Sequence, residues 1–252
     1  MAMILRERAF ILAGGLGTRL RGLIPDRPKA LAPIGHRPFL DILIEDLCNR
    51  GIRRLVLLLG YRSDQIIELV SGRRGVWPAD LQIELSVESR PLGTAGALKL
   101  AARFCDGRFL LLNGDTYFDL DLAGLLRTHE QAQPIATLAG ATVEDAGRFG
   151  RLDVSDSGLV ERFREKDARA GAGLINAGVY LMEPAVLDHI PVDASLSLES
   201  DVFPALLRAG QRIAVCAQAG TFFDIGTPAS YQGFVEFCQG RNRVRAREAK
   251  SS

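Results

Sequence analysis

The glycine-rich run Leu12-Ala13-Gly14-Gly15-Leu16-Gly17-Thr18-Arg19-Leu20 directly follows an apolar segment. Glycines in such a place let the backbone approach a ligand closely and turn its N–H groups toward anionic oxygens. The run is not a Walker A loop, which needs Gly-Lys-Ser/Thr. Nor is it a dinucleotide fingerprint, because Leu20 stands where the third glycine would fall. Arg19 and, after Pro28, Lys29 add two cations, a set that suits a triphosphate better than a bare tight turn. Two aspartates form a second constellation. Asp115 closes Phe109-Leu-Leu-Leu-Asn-Gly-Asp, and Asp224 closes Thr221-Phe-Phe-Asp ahead of Gly226-Thr227-Pro228. Both fall at the carboxyl ends of expected strands, where open α/β sheets bind ligands. Either alone would serve as a turn or helix cap. Together, with positions left for water and phosphate, they suit Mg²⁺.

The elements that must position these residues follow from apolar periodicity. Short apolar runs alternate with helix-length amphipathic stretches through the first half, the pattern of βαβ units on a parallel sheet. Strands are expected at Ala9 to Ala13, Arg54 to Leu59, Ile83 to Val87 and Phe109 to Asn113. Helices are expected at Phe39 to Arg50, Asp64 to Val70 with Ser63 as N-cap, Thr94 to Ala102, and Leu122 to Gln131. Beyond Ile135 the pattern changes to strands joined by Gly/Asp/Ser turns. They are expected at Ile135 to Ala141, Gly150 to Val154, Leu159 to Phe163 and Ala177 to Met182, with antiparallel or mixed pairing. A helix at Leu198 to Ala209, strands at Arg212 to Ala217 and Thr221 to Phe223, and a closing helix at Ala229 to Gln239 complete the expected order.

The chain has 252 residues, 47% apolar and 24% charged, with a formal net charge of +1. That balance lacks the strong basic field of most nucleic-acid binders, and the longest aliphatic run, Leu55 to Leu59, is far short of a membrane span. No nucleic-acid or membrane partner is therefore expected, nor a signal peptide in Met1 to Arg8. The four cysteines are scattered singly and the three histidines never pair at i, i+4, so free thiols in a reducing cytoplasm are expected and a helical zinc site is not. Residues 241–252 hold five basic side chains and one acidic one. They are expected to be a solvated, disordered tail with a frayed end, behind a single domain over 1–240.

Taken in order, Gly14 to Leu20, Pro28-Lys29, Asn113-Gly114-Asp115, Glu165-Lys166, Asn176-Ala177-Gly178 and Asp224-Ile225-Gly226-Thr227-Pro228 resemble the sugar nucleotidyltransferase family. The resemblance spans about residues 8 to 239. The stretches Ser86 to Ala97 and Gly173 to Tyr180 are most similar to the guanylyltransferases of D-glycero-α-D-manno-heptose 1-phosphate. The resemblance implies a single α/β, Rossmann-like domain of glycosyltransferase-A-like form, with a mixed, mostly parallel sheet flanked by helices. It also implies transfer of a nucleotidyl group from a triphosphate, GTP by the subfamily likeness, to a sugar 1-phosphate with Mg²⁺. Carried over residue by residue, Leu12, Ala13, Gly14, Gly15, Gly17, Thr18 and Gly114 would cradle the nucleotide, and Arg19 and Lys29 would contact its phosphates. Asp115 and Asp224 would hold Mg²⁺. Lys166 would contact the sugar phosphate, Glu165 a sugar hydroxyl, and Gly150 and Asn176 the sugar ring, while Glu88, Gly93 and Thr94 would line the base pocket. The left-handed β-helix of larger bifunctional relatives is not expected. Two departures from the family pattern, Ala30-Leu31-Ala32-Pro33 after Lys29 and Asp167 after Lys166, bear on loop geometry.

Glu88 also reads independently of the resemblance. An ionised carboxylate only accepts, and guanine presents adjacent N1–H and N2–H donors, whereas the pyrimidine edges set acceptors against it. The sugar is not fixed by sequence, because hydroxyl recognition falls to the loops Glu144 to Gly150 and Ser195 to Glu199. Heptose, mannose, glucose and cyclitol 1-phosphates all stay open, as does the oligomeric state. A nicotinamide-dependent oxidoreductase shares the first glycine loop but leaves Thr18-Arg19 and Pro28-Lys29 without work. A non-catalytic nucleotide-sugar sensor on the same fold would have no need of both aspartates and both motif lysines.

Overall fold

The computed structural model describes residues 7–248, except 16, 18, 19, 21, 74, 75, 165, 166 and 168–170, with backbone alone for 242–248. The order of elements is β1 (Arg8–Leu12), β2 (Pro33–Ile34), β3 (Arg37–Pro38), α1 (Phe39–Asn49), β4 (Arg54–Leu59), α2 (Ser63–Gly72) and β5 (Gln82–Val87). There follow α3 (Gly93–Leu100), β6 (Phe109–Asn113), β7 (Thr116–Phe118), α4 (Leu122–Ala132), β8 (Ala136–Val143), β9 (Leu152–Val154), β10 (Val160–Phe163) and β11 (Gly173–Met182). The chain closes with α5 (Phe203–Arg208), β12 (Ile213–Gln218), β13 (Phe222–Asp224) and α6 (Pro228–Glu248).

Seven strands form one sheet in the order β12-β8-β11-β6-β1-β4-β5. β1 lies parallel to both β4 and β6, β4 parallel to β5, and β8 parallel to β12, while β11 runs antiparallel to β6 and β8. The sheet is thus Rossmann-like and mostly parallel, with the mixed pairing expected of the second half. The apolar runs of β1, β4 and β6 are buried on both faces, as central parallel strands require. Alternation divides their side chains between two cores. Ile11, Leu55 and Leu57 face α1, through Phe39, Leu43, Ile44 and Leu47, whereas Phe10, Val56 and Leu58 face α3 and α5, through Ala95, Leu98, Phe203 and Leu206. β5 at the sheet edge is half exposed, and its sequence alternates accordingly.

Three local expectations are corrected. Ser63 does not cap α2: it is the first helical residue, behind Arg62 in a left-handed conformation (φ 52°), and no side chain bonds at that end. The turn makes the cap unnecessary, since the Gln65 N–H that a Ser63 cap would have served donates instead to the Arg62 carbonyl at 3.1 Å. The helix expected over Leu198 to Ala209 is instead a π turn, Leu198–Val202, followed by α5. Its widening is visible where Val202 N–H donates to Ser197 O at 3.1 Å, and Pro204 in the first turn of α5 has no N–H to give. Helix α6 continues past Gln239 to Glu248, so the backbone of 241–248 is helical rather than frayed.

Candidate functional site

The carboxyl ends of β1, β4 and β6 open into a cavity of about 600 Å³. Its wall includes Leu12, Ala13, Gly14, Gly15 and Gly17 from the loop after β1, Lys29, and Gly114 and Asp115 after β6. Glu88, Gly93 and Thr94 line it between β5 and α3. The loops meet backbone to backbone. Gly114 N–H donates to Leu12 O at 2.9 Å, Tyr61 N–H donates to Gly14 O at 3.2 Å, and a Cβ at Gly14 would stand 2.9 Å from the Gly60 nitrogen. Gly14 is therefore first a condition of packing, whereas a Cβ at Gly15 would meet nothing within 4 Å, and both leave the backbone bare toward the cavity.

Asp115 and Asp224 are distant in the chain and are brought together by a short ladder. β7 pairs antiparallel with β13, Asp224 opposite Thr116, and Ile225 N–H donates to Asp115 O at 3.0 Å. Between the two carboxylates lies Lys29. Its Nζ is 2.5 Å from Asp115 Oδ2 and 3.2 Å from Asp224 Oδ1, with only 13% of the lysine side chain exposed. Gly17 packs against the stem of Lys29 and Gly226 beside its amine, where added Cβ atoms would stand 3.2 Å from Cβ and 2.7 Å from Nζ. Asp224 Oδ1 also accepts the Gly226 N–H at 2.7 Å. The cluster can hold one cation between two carboxylates and present an ammonium to the cavity.

At the other end, Glu88 Oε2 accepts the Leu92 N–H at 3.0 Å. Burial pushes the Glu88 carboxyl above its ordinary value and the Leu92 N–H partly offsets this. Thr94 looks elsewhere than expected: its Oγ1 accepts the Leu198 N–H at 2.7 Å and lies 3.5 Å from Glu199 Oε2. Together with the Ala95 N–H to Leu196 O bond at 2.9 Å, this fastens residues 194–199 onto the start of α3. Gly93 and Gly96 permit the approach, because a Cβ at either would meet Leu196 O at 2.4 Å or Ala194 O at 2.2 Å.

Glu199, on the π turn and on the cavity wall, was reached in sequence only as the end of a loop. Its carboxylate is held by hydroxyls, Tyr180 at 3.0 Å and Ser197 at 3.1 Å, and no ion pair to it exists among the described residues. Tyr180 is wholly buried, and burial followed by the Glu199 charge drives its phenol well above its ordinary value. An acceptor-only group without a cation suits neutral donors such as sugar hydroxyls. Its partner Thr94 lies so far away in sequence that no local pattern marks the pair. Gly60, Tyr61, Arg90 and Asn113 also line the cavity unforeseen, although Gly60 and Tyr61 could have been found as the residues just beyond a buried parallel strand.

Two expected sugar-side residues lie off the described cavity wall. Asn176 donates to the Tyr180 hydroxyl at 2.8 Å and accepts the Gly178 N–H at 2.9 Å, while Gly150 packs against Arg164 O, 3.1 Å from a Cβ built there. Thr18, Arg19, Glu165 and Lys166 lie outside the described residues. Among the described residues no group of three or more His, Cys, Asp and Glu stands ready to hold a metal, and no helix is long and apolar enough to cross a membrane.

The nucleotidyl transferase family model matches residues 8–239. The D-glycero-alpha-D-manno-heptose 1-phosphate guanylyltransferase of Campylobacter jejuni is 34% identical over 90% of this chain and 98% of its own. The mannose-1-phosphate guanyltransferase of Aspergillus oryzae is 34% identical over 89% of this chain, which spans 62% of that enzyme. The crystal structure of HddC from Yersinia pseudotuberculosis superposes with a TM-score of 0.82 at 32% identity, covering 91% of this chain and 98% of that one, and its complex with GMP-PN gives 0.81. With the family model matched over residues 8–239 and a relative 34% identical over 90% of the chain, the chain belongs to the nucleotidyl transferase family of enzymes.

Proposed function

We propose that the protein joins GTP and a sugar 1-phosphate into a GDP-sugar with release of pyrophosphate, and that its acceptor is D-glycero-α-D-manno-heptose 1-phosphate. The observation that supports this best is a single cavity with Lys29 between Asp115 and Asp224 at one end and the acceptor-only Glu88 at the other. The heptose 1-phosphate guanylyltransferase named above is similar over nearly its whole length, which favours heptose over mannose.

In the reaction an oxygen of the sugar phosphate attacks the α-phosphorus of GTP in line. The bond from that phosphorus to the bridging oxygen breaks, and pyrophosphate leaves with the electron pair. No protein nucleophile is needed, so positioning and charge stabilisation supply the rate. Lys29 would meet the phosphates, with Arg19 and Lys166 as further cations. Glu88 would accept the guanine N1–H and N2–H, and Glu199, with Glu165, would meet the sugar, while Asn176 would act through its bond to Tyr180, which holds Glu199. Mg²⁺ fits the donor set, because two carboxylates already converge on one cation and leave most of a six-oxygen shell to phosphate and water. Bound there by Asp115 and Asp224, it would neutralise the charge that builds on the phosphates. Unpaired thiols at Cys48, Cys105, Cys216 and Cys238 fit a reducing compartment, the cytoplasm.

Pyrophosphate release with Mg²⁺ tests the reading, crossing GTP, UTP, CTP, ATP and dTTP with heptose, mannose and glucose 1-phosphates. Turnover is expected with GTP and the manno-configured heptose. Turnover with a different pair refutes the specificity, and folded protein silent across the panel refutes the activity.

A further inference from the structure

The Glu88 carboxylate is fixed from two sides. Oε2 accepts the Leu92 N–H at 3.0 Å, at the start of α3. On the opposite side it lies against Gly60, where a built Cβ would stand 2.4 Å from Glu88 Oε1, 3.2 Å from its Cδ and 3.0 Å from Gly14 O. Gly60 is not among the glycines with positive φ, so its backbone conformation is open to any residue. What crowds a side chain there most is the carboxylate itself, ahead of Gly14 O.

We propose that Gly60 is a specificity-determining residue: its missing side chain seats the Glu88 carboxylate beside the glycine loop, in the place from which it reads a guanine edge. A carboxylate has about four lone-pair positions, of which Leu92 takes one, so three remain, enough for two adjacent N–H donors. The inference rests on the reading that Glu88 faces the base. An alanine at 60 would push the carboxylate by roughly 1 Å, the gap between 2.4 Å and an ordinary carbon–oxygen contact. The struck atom is the end of a flexible side chain, so the fold should absorb the change while the hydrogen-bonding position is lost.

The test is the ratio of dissociation constants for ITP and GTP with Mg²⁺, measured calorimetrically on the full chain. ITP lacks only the 2-amino donor. The unsubstituted protein is expected to favour GTP about tenfold or more, the scale of one donor to a charged acceptor. Gly60→Ala is expected to bring the ratio to within about threefold of unity, and to add nothing further in a Glu88→Gln background. If Glu88→Gln abolishes the preference and Gly60→Ala retains it, the role of Gly60 is overturned and the base reading stands. If Glu88→Gln retains the preference, both fall. Should Gly60→Ala lower Tm sharply, Glu88→Ala added to it must restore Tm, since it removes the struck atom. Failure to restore it would assign the glycine to Gly14 O and overturn the proposal.

Discussion

Lys29→Met keeps the stem that packs on Gly17 and removes only the ammonium between Asp115 and Asp224. The two carboxylate oxygens share one nitrogen at 2.5 and 3.2 Å, so they stand no farther apart than the sum of those distances, about 5.7 Å. At an effective dielectric constant near 20 their uncompensated repulsion is about 3 kcal/mol. The Asp115 side chain is 38% exposed, and solvent screening reduces this to about 1–2 kcal/mol. For a chain of this length the expected fall in Tm is about 3–6 °C. The rate should suffer more. Loss of one charged donor aimed at a phosphoryl group that gains charge in the transition state costs about 3–4 kcal/mol, or roughly 10²- to 10³-fold in kcat. Scanning calorimetry reads the first effect and pyrophosphate release the second. A variant with wild-type Tm and with kcat within tenfold of wild type would refute both the counter-ion and the phosphate role of Lys29.

Asp224→Asn keeps the bond from the Gly226 N–H but leaves Asp115 as the one described carboxylate beside Lys29, so kcat should fall about 10²-fold and the Mg²⁺ concentration for half-maximal rate should rise. An unshifted Mg²⁺ titration would remove Asp224 from the metal site. Glu199→Gln should raise the KM for the sugar 1-phosphate about tenfold with the KM for GTP unchanged, and an equal rise in both would take Glu199 off the sugar side. Because burial raises the Glu88 pKa and the ionised form is the one that accepts from guanine, GTP binding should weaken as pH falls through a midpoint above the ordinary glutamate value of about 4.3. The Glu88→Gln profile should lack that limb, and its persistence there would assign the titration to another group. Gly14→Ala meets backbone, the Gly60 nitrogen and the Leu59 carbonyl carbon, and should lower stability by about 1–3 kcal/mol in denaturant titrations.

The π turn at Leu198–Val202 links the two ends of the site. It presents Glu199 to the cavity while Thr94, at the start of α3, accepts its Leu198 N–H. The helix that begins beside the Glu88 contact therefore also fixes the carboxylate assigned to the sugar. A regular α-helix over the same residues would rotate Glu199 to another direction, about 100° for each residue of register.

Much was determined by the sequence alone. The buried strands Arg54–Leu59 and Phe109–Asn113 were legible to the residue, because an apolar run bounded by polar residues has one place to go in a parallel sheet. The glycine loop, Asp115, Asp224 and Glu88 were legible as candidates because each lies at or just past a strand's carboxyl end, and Lys29 because it adds a cation after Pro28. Tertiary structure decided what those residues do to one another. Only the β7–β13 ladder brings Asp224 to Asp115, and only the approach of the β4 loop to Glu88 gives Gly60 its work. Ser63 as a cap failed because a backbone turn had already satisfied the N–H it would have relieved. The helix at Leu198 failed because contacts with α3, distant in sequence, outweigh local propensity over so short a segment. Spacing along a chain reports local preference, whereas convergence on one ligand depends on register between distant strands, which no single segment encodes.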